Sequence, residues 1–184
     1  MELKTIIKDG YKLVIHHDES ADSPRDWYNL GTMVTWHRSY VSPDTNDFRE
    51  PTDFIEWWQE NGKDGVLMPV YILDHSSVSF STTPFNDSWD SGLIGYIYAT
   101  AEDIKEFGVE RDLVKDILTS EVDTYSQWAN GNAYGYELSK AKTCDSCQHV
   151  EWVSEDSCWG YVGGLDSGII PEFLRSDVLD YLYR

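Results

Sequence analysis

Positive charge is scarce in this sequence: 14 Lys and Arg face 33 Asp and Glu, a formal net charge of −19 across 184 residues. A polyanion of this kind is repelled by the phosphate backbone, which argues against direct, specific binding of DNA or RNA. The same charge attracts proteins whose own surfaces grip nucleic acid, although acidity also serves solubility alone. Long apolar runs are missing as well. None approaches the ~20 residues that cross a bilayer, and residues 1–10 lack the apolar stretch of a signal peptide. These absences predict a soluble, cytoplasmic protein with no membrane partner. Also absent are a phosphate-cradling glycine loop, a dinucleotide-binding fingerprint and a basic patch interleaved with aromatics, which sets nucleotide hydrolysis and RNA recognition aside. Cysteine is sparse, with three residues at Cys144, Cys147 and Cys158, and a structural disulfide is not expected in a reducing compartment.

Aromatic side chains, by contrast, are abundant: 8 Trp, 12 Tyr and 6 Phe within a hydrophobic content of 41%. They fill a core with few residues and, where exposed, anchor interfaces. At this length one core suffices, so a single domain over residues 1–184 is expected. Apolar alternation predicts strands at 11–17, 30–36, 66–73, 78–81, 94–98 and 133–138, and reads 150–153 and 159–162 as a terminal hairpin. Residues 18–26, with Asp18, Glu19, Asp22 and Asp26, read as an acidic loop that cannot bury.

A short aromatic helix is predicted over 53–60, stopped by Asn61-Gly62. Thr100 with Asp103 forms a capping box for a second helix, which Gly108 ends. Residues 110–128 carry Leu113, Val114, Ile117, Leu118, Val122 and Tyr125 at helical spacing, with Glu110, Asp112, Asp116, Glu121 and Asp123 largely on the other side. After a loop through Gly163-Gly164 and 166–168, Pro171 opens a last helix over 172–183. The predicted class is α+β: a mainly antiparallel sheet, one long amphipathic helix, and shorter helices packed against it.

Polar chemistry gathers where strands end in residues 66–100. Asp74-His75-Ser76 has the residue types of a hydrolytic triad, but neighbours on a strand alternate faces, so His75 points away from both. It could instead meet Asp90 or His37 across the sheet. Without a nucleophile elbow or oxyanion-hole signature, a network of His37, Arg38, Asp74, His75, Ser76 and Asp90 reads as loop-fixing hydrogen bonding around a polar pocket. The pairs Asp18 with Asp22 and Asp87 with Asp90 are ordinary spacings on an acidic surface. The best metal pattern is Cys144, Cys147 and His149, with Cys158 brought back by the terminal hairpin. These are soft ligands suited to a structural Zn²⁺ clamping residues 144–162. Three reduced thiols with no metal is the competing reading, and a redox role stands behind both because no strand-to-helix context follows the CxxC.

Several blocks occur together: Asn29-Leu30-Gly31-Thr32-Met33-Val34, Trp36-His37-Arg38, Asp74-His75-Ser76, Pro84-Phe85, Trp89-Asp90-Ser91-Gly92 with Gly95 and Ile97-Tyr98, and Asp156-Ser157-Cys158-Trp159-Gly160. In this order the chain resembles a family of small proteins encoded by phages, plasmids and integrated elements of bacteria. The resemblance covers most of the chain and implies an anti-defence setting, such as an anti-CRISPR or antirestriction protein. Joined to the charge, it yields the leading expectation: a non-enzymatic, acidic inhibitor of a host defence nuclease with a basic groove, engaged through Asp112, Asp116 and Asp123. A small enzyme using His75 and Asp90, and a module sequestering a small signalling molecule, are the alternatives.

Overall fold

Apolar alternation sorts the chain into two four-stranded sheets, antiparallel at every strand pair. The computed structural model describes residues 1–87, 89–165 and 170–182. In chain order the strands are β1 (Glu2–Lys8), β2 (Tyr11–His17), β3 (Thr32–Thr35), β4 (Val66–His75), β5 (Ser77–Ser81), β6 (Ser91–Ala99), β7 (Ala133–Thr143) and β8 (Val150–Val162). The helices are α1 (Pro51–Asn61), α2 (Ala101–Phe107), α3 (Val114–Ala129) and α4 (Glu172–Leu182). This is an α+β protein. It divides into two compact units, Met1–Asp22 with Gly131–Arg184, and Ser23–Asn130.

The first unit holds the sheet β1-β2-β7-β8. Asp9 and Gly10 both have positive φ, 50° and 78°, which is the two-residue hairpin turn that Asp-Gly favours, and they pair Lys8 with Tyr11. Leu13 and Ile15 of β2 and Tyr136 and Leu138 of β7 point to one face, where Leu174 and Val178 of α4 close the core. The Tyr136 hydroxyl donates to the Asp156 carboxylate at 2.7 Å. Burial first, and then that carboxylate, hold the phenol well above its usual range.

The expected terminal hairpin is not formed. Residues 150–153 and 159–162 lie in the same strand, β8, which pairs with β7 from Ala133↔Val162 to Thr143↔Val150. Between them no Gly, Pro or Asn offers a turn, so the backbone stays extended. Two irregularities in the ladder absorb the unequal lengths, and Gly160, at φ 83°, supplies one. Of the predicted C-terminal features, the loop 166–168 and the helix end at Tyr183 lie outside the described residues.

The second unit holds the sheet β3-β6-β4-β5 with both faces covered. Alternation assigns the faces: Met33, Val70, Ile72 and Ile97 pack with Leu118 and Val122 of α3, while Val34 and Tyr98 pack with Phe54 of α1. Phe54 lies 5.4 Å and 5.3 Å, ring to ring, from Tyr96 and Tyr98, and Trp57 and Trp58 extend this aromatic layer. Gly95 is required where β3 crosses β6, because a Cβ there would run into the Val34 carbonyl oxygen.

The α2 cap forms as predicted, with Asp103 N–H donating to Thr100 Oγ1 at 3.2 Å and Thr100 N–H to Asp103 Oδ2 at 2.8 Å. Gly108 ends the helix in the left-handed region. Residues 110–128 differ from the expectation. A separate 3-10 turn, Arg111–Leu113, precedes α3, which is 16 residues long and buries Val114, Leu118, Val122 and Ser126. Leu113 is therefore exposed rather than on the buried side. Among the described residues no helix is long and apolar enough to cross a membrane.

Candidate functional site

Strand β6 lies between β3 and β4 and is antiparallel to both, so its first residues stand beside the last of its neighbours. This brings Trp36, His37 and Arg38, which follow β3, to Asp74 near the end of β4 and to Trp89 and Asp90 before β6. They line an open cavity of about 370 Å³. Four of the six residues of the predicted polar network, His37, Arg38, Asp74 and Asp90, thus share one cavity.

The two remaining members take different parts. His75 Nδ1 lies 2.6 Å from Asp90 Oδ2, the cross-strand meeting that strand alternation allows. Ser76 occupies the β4–β5 turn at φ 57° and donates its hydroxyl to the His75 carbonyl at 2.6 Å. It serves the turn, and Asp74, His75 and Ser76 make no triad. The His75 and Asp90 side chains are 71% and 40% exposed. A pair this open to water contributes about 1 kcal/mol at most.

Order around the cavity comes from short-range bonds. Asp74 N–H donates to the Asp90 carbonyl at 2.8 Å, tying β4 to the loop before β6. The Asp87 carboxylate accepts from the N–H groups of Trp89 at 2.8 Å and Asp90 at 3.2 Å. Those two bonds, the Trp89 N–H foremost, hold the Asp87 carboxyl below its ordinary range. The Ser91 hydroxyl closes the loop onto the Asp87 carbonyl. On the other wall, the His37 ring stacks on Tyr40 at 4.9 Å and its Nδ1 accepts from Ser39 N–H, which leaves the ring proton on Nε2. Tyr40 donates to Asp74 Oδ2 at 3.1 Å, and desolvation followed by that carboxylate raises its phenol. No ion pair joins Arg38 to a carboxylate among the described residues. Trp89, 93% exposed, stands at the cavity rim.

Asp112, Asp116 and Asp123 are all exposed. Asp112 belongs to the 3-10 turn, while Asp116 and Asp123 stand seven residues apart on α3, two turns along the same side. Partial burial raises the Asp123 carboxyl. Glu121 departs from the predicted outer face. It is 11% exposed, accepts Leu30 N–H at 2.7 Å, and pairs with Arg25 Nη1 at 3.1 Å. Arg25, 3% exposed, also donates through Nε and Nη2 to Asp44 at 2.9 and 2.6 Å, and Nη2 reaches the Gly31 carbonyl. Burial alone would lower the Arg25 pKa, but the Asp44 and Glu121 carboxylates outweigh it and keep the guanidinium above its ordinary value. The sequence reading missed this triad and treated residues 18–26 as unable to bury. Arg25, the lone cation among five charged side chains in that acidic loop, was the available signal.

The zinc ligand set is not assembled. Cys144, Cys147 and His149 lie in the turn joining β7 to β8, but Cys158 pairs opposite Tyr136, eight residues along β8 from Val150. At strand rise that is roughly 25 Å away. The proposed return of Cys158 depended on the hairpin that does not form. Cys158 instead packs half-buried against the Tyr136 core. Among the described residues no three His, Cys, Asp or Glu converge as a metal site. Within the turn, the N–H groups of Cys147 and Ser146, and then the Cys147 thiol, hold the Cys144 thiol below its ordinary range.

No family model, curated protein or solved structure matches this chain.

Proposed function

We propose that this chain is an anti-defence protein of a phage or other mobile element, acting in the bacterial cytoplasm as an inhibitor of a host defence nuclease. The target is a CRISPR effector or restriction complex, and the protein occupies part of the basic groove that otherwise receives nucleic acid. The observation that carries this reading is the net charge of −19, with Asp112, Asp116 and Asp123 all open to solvent. Lys and Arg that normally meet phosphates find carboxylates in their place, and counterions are released on binding as they are for DNA. The resemblance to proteins of mobile elements supplies a setting in which such an inhibitor is needed.

The test is nuclease cleavage with and without the protein, repeated with Asp112→Asn, Asp116→Asn and Asp123→Asn combined. Losing three exposed pairings should weaken inhibition by about 1–2 kcal/mol, roughly 5- to 30-fold in affinity. Inhibition should also fall steeply with added salt, and DNA or guide RNA should compete. Undiminished inhibition by the triple variant removes α3 from the account. Absence of inhibition across defence nucleases removes the reading itself.

A further inference from the structure

The turn joining β7 to β8, residues 144–149, takes no part in the sheet-end cavity or the acidic face of α3. Cys144 N–H donates to the His149 carbonyl at 2.8 Å, which ties the ends of the turn together. Inside it, Gln148 N–H donates to the Cys144 carbonyl at 2.9 Å, closing one helical turn that Gln148 leaves at φ 58°. Residues three apart in a closed turn have Cα atoms within about 7 Å, the separation that a disulfide spans. Cys144 and Cys147 stand at that spacing and both are exposed. The N–H groups of Cys147 and Ser146, and then the Cys147 thiol, hold the Cys144 thiol below its ordinary range. Cys158, opposite Tyr136 on the sheet, is out of reach of both.

We propose that Cys144 and Cys147 form a reversible dithiol site whose substrates are small disulfides of the glutathione class. Cys144, exposed at the start of the closed turn, is the attacking thiolate. It bonds to one sulfur of the oxidant and expels the first glutathione thiolate, which takes up a proton. Cys147 then loses its proton and attacks the Cys144 sulfur, forming the intraloop bond and releasing the second glutathione thiolate. Two protein thiols are oxidised to one disulfide while one small disulfide is reduced to two thiols. Excess reduced glutathione runs the same steps backwards.

The experiment takes the full chain, fully reduced, through glutathione buffers of rising oxidised fraction. Samples are quenched in acid, alkylated with N-ethylmaleimide, and read by intact mass and peptide mapping. The expected product is a monomer in which Cys144 and Cys147 lose alkylation together and are found linked, while Cys158 remains alkylated. Reduced glutathione should restore both sites. Cys147→Ser should stop at a glutathione adduct on Cys144, Cys144→Ser should form no intrachain bond, and Cys158→Ser should behave as the parent chain does. Both loop cysteines are exposed, so these serine variants should keep the far-ultraviolet circular dichroism of the parent. A bridge to Cys158, a disulfide-linked pair of chains, a persistent glutathione adduct on the parent chain, or full alkylation throughout the series would each overturn the proposal.

Discussion

Arg25→Met should destabilise the unit Ser23–Asn130 far more than any surface charge change. The substitution removes three hydrogen bonds to carboxylate oxygens and one to the Gly31 carbonyl. It keeps most of the side-chain volume, so packing changes little and the effect reports the charges left behind. Asp44 and Glu121, 16% and 11% exposed, would then be two carboxylates close together without a cation. Breaking a buried ion pair by deleting one partner costs about 3–5 kcal/mol. The lower part of that range is expected, because backbone groups still serve both acids: Met33 N–H donates to Asp44, and Leu30 and Gly31 N–H donate to Glu121. The assay is urea unfolding followed by Trp fluorescence. Adding Asp44→Asn and Glu121→Gln to Arg25→Met should recover about half of the loss, since the stranded charges are then gone. A loss below about 1 kcal/mol for Arg25→Met, or no recovery in the triple variant, would refute the view that a buried charge cluster fastens residues 25–44 to α3.

Two further outcomes concern the cavity at the sheet end. His75→Ala should lower the unfolding free energy from urea titration by less than about 1 kcal/mol, because the His75–Asp90 pair is exposed; a loss of several kcal/mol would show a network deeper than the geometry gives. The Asp87 carboxyl is held below its ordinary value by the N–H groups of Trp89 and Asp90. Its contribution to loop order is therefore complete above the unfolded carboxyl pKa, near 4, and is lost as pH falls through the lower folded value. Nuclear magnetic resonance of the Trp89 and Asp90 amides should move together in that acid window and stay constant in Asp87→Asn, whereas a transition near neutrality would point to a different group.

Local rules carried much of the fold. Tyr11–His17, with its apolar Leu13-Val14-Ile15 centre, reads as a strand and is one with those bounds. Thr100, Asp103 and Gly108 mark the ends of α2 because caps are satisfied within a few residues of sequence. The edge strand Glu2–Lys8 was missed although Asp9-Gly10 announces its turn, since its residues are mostly exposed and no apolar face stands out. Long-range pairing was the harder part. The Arg25 contact with Glu121 spans 96 positions, and a helical wheel cannot tell a solvated carboxylate from one facing a buried guanidinium. The Cys158 assignment failed for a related reason, as spacing in sequence stands for spacing in space only when the turn between is real. The cavity was legible as a site because three strand ends carry polar residues, but only register brings His37 and Asp90 to the same rim.

The break in the first unit has a consequence for biogenesis. Strand β2 pairs directly with β7, from Tyr11↔Lys140 to His17↔Tyr134, yet everything from Ser23 to Asn130 is made between them. On a ribosome the second unit is complete before β7 exists, so it can fold while β1 and β2 wait as a lone hairpin, which is marginal by itself. Once folded, it replaces a flexible loop of about a hundred residues with a body of fixed ends, and the closure entropy of that loop no longer opposes the β2–β7 ladder. An inner unit that folds first would make maturation run from the middle of the chain outward. Ending the chain after Asn130 should give the inner unit in native form and leave the N-terminal hairpin open to proteases.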